Sequence, residues 1–404
     1  MTTQQVRVIG GVDTHTETHH AALVTDTGQH VADQEFETTP AGYARLVGFL
    51  TSHGQLVRVG VEGTSSYGAG LLSVLQAAGI EVVEVIRPTR TQRRRGKSDP
   101  IDAYNAAATT LTGQHLPVPK QPGGDVDAIR ALMCTRRSAV NGHTDAIRQI
   151  KTMLVTAPAE IRQRFRCLSD QQLIRSLAAL RPGPATDGVH NAVLVSLKTL
   201  ARRYQWLGEE IDTLEADLDV LVTRTSTALR AAPGIGPVTA AQLLITAGDN
   251  PDRIANQAAF AALTGTAPIP ASSGKTRRWR LNRGGDRQAN CAIHQIVISR
   301  LSFDPATKAY VARRRTEGKT TKEIIRCLKR AVAREVFNHL TRPRPVPAID
   351  DLRPLRQAKH ISLERAAKHF NTRGTSIARL ELGQRRDDLL TKQYRDWLHT
   401  QPAA

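Results

Sequence analysis

Residues 197–221 carry a seven-residue apolar repeat. Leu197, Tyr204, Ile211 and Leu218 recur at intervals of seven, and Leu200, Leu207, Leu214 and Leu221 repeat that interval three residues later. These are the a and d positions of a heptad held over four repeats. Such a seam demands a long helix and a helical partner. Glu209, Glu210, Asp212, Glu215, Asp217 and Asp219 occupy the other faces. The partner is either a second copy of the chain, in a dimerising coiled coil, or an intramolecular helix spanning Asp125 to Leu154, and the two arrangements can coexist. The whole stretch from Asp125 to Leu229 reads as helical, so residues 122–230 form a helical, coiled-coil region.

Residues 1–118 are built differently. Val6–Val12 is an apolar, β-branched run that ends at Asp13, and Ala21–Val24 and Val31–Thr38 follow, separated by Thr27-Gly28. This spacing predicts a meander. Pro40 opens a helix over Ala41–Leu50, with Tyr43, Leu46, Val47 and Leu50 on one face. Val57–Val61, a helix over Ser66–Ala78 stopped by Gly79, and Glu81–Ile86 complete the pattern. Periodicity by itself supports an α/β domain.

Composition narrows the partner. Lys and Arg total 56 against 37 Asp and Glu, a formal net charge of +19, which points to a polyanion and first of all to nucleic acid. The chain is 40% hydrophobic, enough to exclude wholesale disorder. Its apolar runs fall far short of the roughly 18 residues of a membrane span. The start, MTTQQVRVIGG, has no secretory pattern. Cys134, Cys167, Cys291 and Cys327 lie far apart, which excludes a disulfide scaffold or a zinc finger and fits a reducing, cytoplasmic setting beside the nucleoid.

Four carboxylates carry the chemistry. Asp13 and Glu62 each follow an apolar strand, where ligands bind in open α/β sheets. Asp99 and Asp102 open an alanine-rich helix, with Pro100 suited to its first position, and a spacing of three sets both acids on one face. Oxygen donors of this kind suit hard divalent cations, and two Mg²⁺ ions roughly 4 Å apart can act on a phosphodiester. Arg87, Arg90, Arg93, Arg94, Arg95 and Lys97 precede the acidic pair and suit phosphate. His15, Glu17 and His19 alternate after Asp13, with His20 beside them. They read as a solvated face at the rim of the site, with a metal-binding strand face as the alternative.

Gly11-Val12-Asp13, Val61-Glu62-Gly63-Thr64 and Lys97-Ser98-Asp99-Pro100-Ile101-Asp102-Ala103 together resemble the DEDD insertion-sequence transposases, Piv-like recombinases with a RuvC-like N-terminal domain. The resemblance covers residues 5–340. It implies a RuvC or ribonuclease H-like domain over 1–118, whose element order it matches, followed by mainly all-α regions. It implies Asp13, Glu62, Asp99 and Asp102 as a tetrad holding Mg²⁺, two ions per site. It also implies DNA, donor and target, as substrate, and a structured noncoding bridge RNA as guide. It further implies a homo-oligomer, a dimer or tetramer, in which acids and nucleophile come from different protomers.

Residues 231–340 form a third region. Pro233-Gly234-Ile235-Gly236-Pro237 before Val238-Thr239-Ala240-Ala241 looks like a helix-hairpin-helix, which grips phosphates without reading sequence, or is a plain turn between helices. Ser272-Ser273-Gly274-Lys275 precedes Arg277, Arg278, Trp279, Arg280, Arg283 and Arg287, a basic run with an aromatic that suits a backbone and a stacked base. From sequence alone Ser273 is a loop serine. The family resemblance assigns it as the nucleophile that forms a phosphoserine link, with Ser272 as the neighbouring alternative. Lys319–Leu340 mixes Ile324, Ile325, Leu328, Val332 and Val336 with Lys322, Arg326, Lys329, Arg330 and Arg334, a core-facing helix whose other side meets phosphate or merely water.

Residues 341–357, with Pro343, Pro345, Pro347 and Pro354, predict an extended linker. Residues 358–400 end the chain. Ile361–Phe370 and Thr375–Gly383 resemble the two helices of a repressor-type helix-turn-helix, whose groove-facing residues are then Thr375, Ser376 and Arg379. This unit is an addition to the family pattern. Three functions follow: a guided transposase, a junction-resolving nuclease that uses water, and a non-catalytic DNA-binding regulator.

Overall fold

The computed structural model describes residues 6–86, 98–113, 116–272, 274, 279–280, 282, 284–383 and 386–402. The arginine run from Arg87 to Lys97, and Ser273, Lys275, Arg277, Arg278 and Arg283, lie outside the described residues. The chain divides into two compact units. One holds residues 1–124 with 247–255, and the other holds 125–246 with 256–404.

The first unit follows the predicted element order. Strands β1 (Arg7–Thr14), β2 (Thr18–Thr25) and β3 (His30–Glu37) form an antiparallel meander, turned at Gly28, which has a positive φ of 86°. Helix α1 (Pro40–Ser52), β4 (Gln55–Glu62), α2 (Ala69–Ala77), β5 (Val82–Val85) and α3 (Asp99–Thr112) follow. The five strands lie in the order β3-β2-β1-β4-β5, with β4 and β5 parallel to β1. Thr39 caps α1 through its side chain, and Pro40 takes the first turn, where no amide partner is needed. Val12, Val61, Leu46, Leu50, Leu71 and Leu75 build the core on one face of the sheet. Helix α3 covers the other face, where Ala107 packs with Ile9 and Val24. The short 247–255 segment is tied to this unit by Asn250, whose amide donates to the Pro119 carbonyl (2.9 Å) and accepts from the Gln121 amide (3.0 Å).

The second unit is almost wholly helical. Helix α4 (Asp125–Thr156), α5 (Ala159–Phe165), α6 (Asp170–Ala178) and α7 (Val189–Thr225) come first. The heptad seam is answered from within the chain, because α7 lies along α4 as an antiparallel hairpin. Leu197, Leu207 and Leu218 are buried, and the other five heptad residues are half-buried. Arg136 donates to Glu215 and Arg224 to Asp125 across the pair. Helix α6 closes one end of the hairpin, with Leu173, Ile174 and Leu177 packed against Leu194, Leu197 and Ala201.

Helix α8 (Thr227–Arg230), α9 (Pro237–Ala247), α10 (Gln257–Leu263), a two-residue ribbon of β6 (Ile269–Pro270) and β7 (Trp279–Arg280), α11 (Arg287–Phe303), α12 (Pro305–Thr316) and α13 (Thr321–Thr341) follow. Gly234 turns the chain between α8 and α9 at φ 74°. Arg300 donates to the Pro233 carbonyl (2.8 Å) and Arg230 to that of Ile235 (3.2 Å), which pins the turn.

Helices α14 (Leu352–Ala358), α15 (Leu363–His369), α16 (Gly374–Glu381) and α17 (Asp388–Thr400) share one core around Leu352, Ile377, Leu380, Tyr394 and Leu398. This corrects the linker expectation. The extended part ends before Leu352, and residues up to Gln357 belong to α14. Pro354 suggested a break, but it sits in the first turn, where a missing N–H costs nothing. Arg356 of the same helix donates two hydrogen bonds to Glu381 (2.7 and 3.0 Å), and the Tyr394 hydroxyl donates to Glu381 as well (2.7 Å).

Candidate metal centre and nucleic-acid interface

The acidic site begins with two glycines. Gly11 on β1 and Gly60 on β4 are register partners. A Cβ at Gly11 would lie 2.1 Å from the Ala107 amide, and one at Gly60 would lie 1.8 Å from Thr110 Oγ1. Helix α3 therefore lies directly on the backbone of these two strands, at a distance only glycine permits. Side chains on a strand alternate, so two residues further on Asp13 and Glu62 face the same side. Helix α3 runs back along the strands, and its N-terminal acids arrive where those strands end.

Burial follows from this geometry. Asp13 is 1% exposed, Glu62 4% and Asp102 7%. Asp102 continues the buried stripe of Ala103, Ala106, Ala107 and Thr110, whereas Asp99 lies at the open edge with its side chain 43% exposed. The Thr14 hydroxyl donates to the Glu62 carbonyl (3.0 Å) and ties the two strand ends together. A second brace holds α3 over β2 and β3. The Tyr104 hydroxyl donates to Asp33 (3.1 Å), His20 bonds the same carboxylate (2.7 Å), and His30 stacks on the Tyr104 ring at 3.7 Å. Burial, and then the Asp33 carboxylate, push the Tyr104 hydroxyl up to about 12, so it stays a donor.

Asp13 and Asp99 are brought into one ligand sphere together with His15. One donor atom from each lies within 4.8 Å of the others. His15 Nε2 is 3.1 Å from Asp13 Oδ2 and 3.5 Å from Asp99 Oδ1. Glu62, at the end of the neighbouring strand, and Asp102, one turn further along the same helix face, lie outside this three-residue group. Three carboxylates withdrawn from water need counter-charge, and hard oxygen donors at one place fit a divalent cation.

The histidines depart from the expected rim. The turn between β1 and β2 interrupts the alternation. Glu17 is exposed, but His19 is fully buried, stacked on Tyr43 at 5.6 Å, and its burial lowers its proton affinity. His15 instead reaches the acids. The signal available in sequence was its position two residues after Asp13, just past the apolar run of β1.

The cationic site lies in the second unit. Trp279, 62% exposed, and Arg280 stand on the ribbon beside residues 265–268. With Lys319, Arg326, Lys329 and Arg330 they line a cavity of about 800 Å³. The basic side of α13 thus borders this cavity, while Ile324, Val332 and Val336 are buried. Lys329 donates to Asn290, and burial pushes its ammonium down from the usual lysine range. The β6–β7 connection carries Ser273. Its neighbour Ser272, which is described, is exposed.

Two family profiles match the chain. Residues 10–157 match the DEDD transposase family of IS110, and residues 226–312 match the transposase family of IS116, IS110 and IS902. Together they span more than half of the chain. A 43.6 kDa protein of insertion element IS110 from Streptomyces coelicolor is 26% identical over 384 residues, covering 82% of this chain and 93% of that protein. The candidate transposase of the IS117 mini-circle from the same organism is 24% identical over 370 residues, covering 77% and 88%. A 42 kDa protein of insertion element IS900 from Mycobacterium paratuberculosis is 23% identical over 373 residues, covering 80% and 93%.

Proposed function

Because this chain belongs to the DEDD transposase family of IS110-type insertion elements, and so acts on DNA as a transposase, we propose that it cuts and rejoins DNA through a phosphoserine at Ser273. The observation that carries this reading is the approach of Asp13 and Asp99, with His15, to within one ligand sphere, beside strand and helix ends that also bear the buried Glu62 and Asp102. The β3-β2-β1-β4-β5 order also supports a RuvC-like, ribonuclease H-like domain.

Asp13, Glu62, Asp99 and Asp102 would hold the divalent cations, Mg²⁺ as the family implies, which when bound would supply Lewis-acid stabilisation of charge at the phosphate. Trp279 stacks on a base, and Arg280, Arg326 and Arg330 neutralise backbone phosphates. The Ser273 oxygen bonds to phosphorus as the ester bond to the leaving nucleotide oxygen breaks. The serine proton departs, and a proton returns to the leaving oxygen. The phosphoserine conserves the bond energy for rejoining. The net charge of +19 suits a second polyanion, and we assign it to a structured noncoding guide RNA that pairs with donor and target. A dimer or tetramer then presents acids and serine to both DNA partners.

The test is a plasmid recombination assay with Ser273→Ala, with and without the noncoding transcript beside the gene. Loss of strand exchange and of the covalent DNA–protein adduct is the expected result. Hydrolysis that survives in Ser273→Ala would instead support a nuclease using water, and exchange without transcript would remove the guide.

The α14–α17 unit favours an additional duplex-reading role. Thr375 and Arg379 are exposed on α16, with Ser376 half-buried beside them, on a helix anchored by Ile377 and Leu380. Arg379→Ala is expected to weaken binding to the element's own ends in a gel-shift assay and leave the recombination chemistry intact.

A further inference from the structure

We infer that His15 is itself a metal ligand, an imidazole donor to the cation held by Asp13 and Asp99. The inference rests on the reading of the acidic group as a divalent-metal site. It changes that site from all-oxygen to mixed nitrogen and oxygen.

Geometry carries the argument. His15 Nε2 approaches two carboxylates from different elements, at 3.1 Å on β1 and 3.5 Å on α3. The Nε2 atom holds at most one proton, so a hydrogen bond accounts for one of these contacts. Adjacent ligands around an octahedral ion with bonds of about 2.1 Å stand about 3 Å apart. Both His15 contacts therefore have the spacing of adjacent ligands in one coordination shell, and all three donors lie within 4.8 Å of one another. The backbone fixes this arrangement, since the His15 amide donates to the Thr18 carbonyl (3.1 Å) and closes the turn just beyond β1.

The neighbouring histidines are committed elsewhere. His20 bonds Asp33 (2.7 Å), and the His19 ring lies against Tyr43 with Nδ1 on the Thr18 carbonyl (3.1 Å). His15 keeps its side chain 35% exposed at the mouth of the site. Imidazole is a poor ligand for Mg²⁺ and a better one for transition ions. The site should therefore take Mn²⁺ in preference to Mg²⁺.

The experiment titrates the full-length protein with Mn²⁺ alone, following free ion by electron paramagnetic resonance. Electron spin echo modulation then reads nitrogen coupling, with ¹⁵N-histidine labelling to identify its source. Wild-type protein should show histidine nitrogen on bound Mn²⁺. His15→Ala should lose that coupling and bind Mn²⁺ roughly tenfold more weakly, with Mg²⁺ affinity changed less than about threefold. His15→Asn, which keeps a hydrogen bond to Asp13 without an imidazole, should behave like His15→Ala. Bound Mn²⁺ without histidine coupling, equal weakening for both ions, or wild-type behaviour of His15→Asn would overturn the inference and leave the acidic site standing. Undiminished Mn²⁺ binding in Asp13→Asn would overturn both.

Discussion

Asp13 is 1% exposed in the penultimate position of an eight-residue strand, whereas Trp279 is 62% exposed on a ribbon strand of two residues. The contrast extends to the groups around them. The acids stand on β1, β4 and α3, regular elements packed directly together, at Gly11 against the α3 backbone and at Gly60 against the Thr110 side chain. The cations of the other site project from one side of α13 and from the ribbon into an open cavity. A buried carboxylate is costly, so its position must be held rigidly to keep a counter-ion in place. An arginine meeting DNA at the surface keeps its hydration until the phosphate arrives and needs no such frame. The acidic corner is therefore expected to fail through small changes of geometry, and the cationic cavity only through loss of contacts.

The strongest way to break this comparison is Asp102→Asn, which removes a buried charge at almost constant volume. Strand exchange in a plasmid assay should fall by about a thousandfold or more, while the metal-free melting temperature should not drop. Exchange within tenfold of wild type would show that the buried acids are not the working centre. Gly11→Ala touches no reacting group, yet the added Cβ would stand 2.1 Å from the Ala107 amide. Displacing α3 should cost on the order of 1–3 kcal/mol of stability, and about a hundredfold in exchange through misplaced acids. Calorimetry and the same plasmid assay read the two effects.

The cavity should respond more gently. Trp279→Ala removes one stacking platform, worth about 1–3 kcal/mol per base, and should weaken single-strand binding in fluorescence anisotropy without moving the melting temperature. Arg326→Ala should weaken binding a few-fold and make the salt dependence shallower by about one phosphate contact.

The smallest effect is expected in acid, at the contact between α11 and α13. Arg300 donates to both Glu335 oxygens (2.7 and 2.8 Å) and ties α11 to α13. Burial alone would raise the Glu335 carboxyl, but these hydrogen bonds and His339 hold it down to about 2 from an ordinary 4.5. A depressed folded-state value means stability present above pH 4.5 and lost as the pH falls towards 2. Melting temperatures of Glu335→Gln should show a flatter profile across that window.

Much of this architecture is legible in residues taken a few at a time. The β-branched runs, Gly28, Pro40 and the heptad predict the meander, α1 and α7 because strand alternation, turn conformation and helix periodicity are all short-range properties. The heptad does not name its partner. Helix α4 buries Val126, Ile129, Met133, Ala139, Ala146 and Ile150, a less regular series, and the seam closes on it within the chain. The alternation of His15, Glu17 and His19 fails as a guide because a turn falls within it. Helix α14 is obscured by a proline whose first-turn position makes it harmless.

The amino-acid sequence by itself determined which residues have the chemistry of this protein: four carboxylates at strand and helix ends, a basic run with a tryptophan, and an apolar seam. Only the tertiary structure decided which of them meet. Glycines 11 and 60 read as ordinary strand residues until α3 packs on them. That packing joins positions nearly a hundred residues apart at Gly11 and about fifty apart at Gly60, and no local periodicity records it. The approach of His15 to Asp99 has the same origin, because the meander sets one and the seating of α3 sets the other.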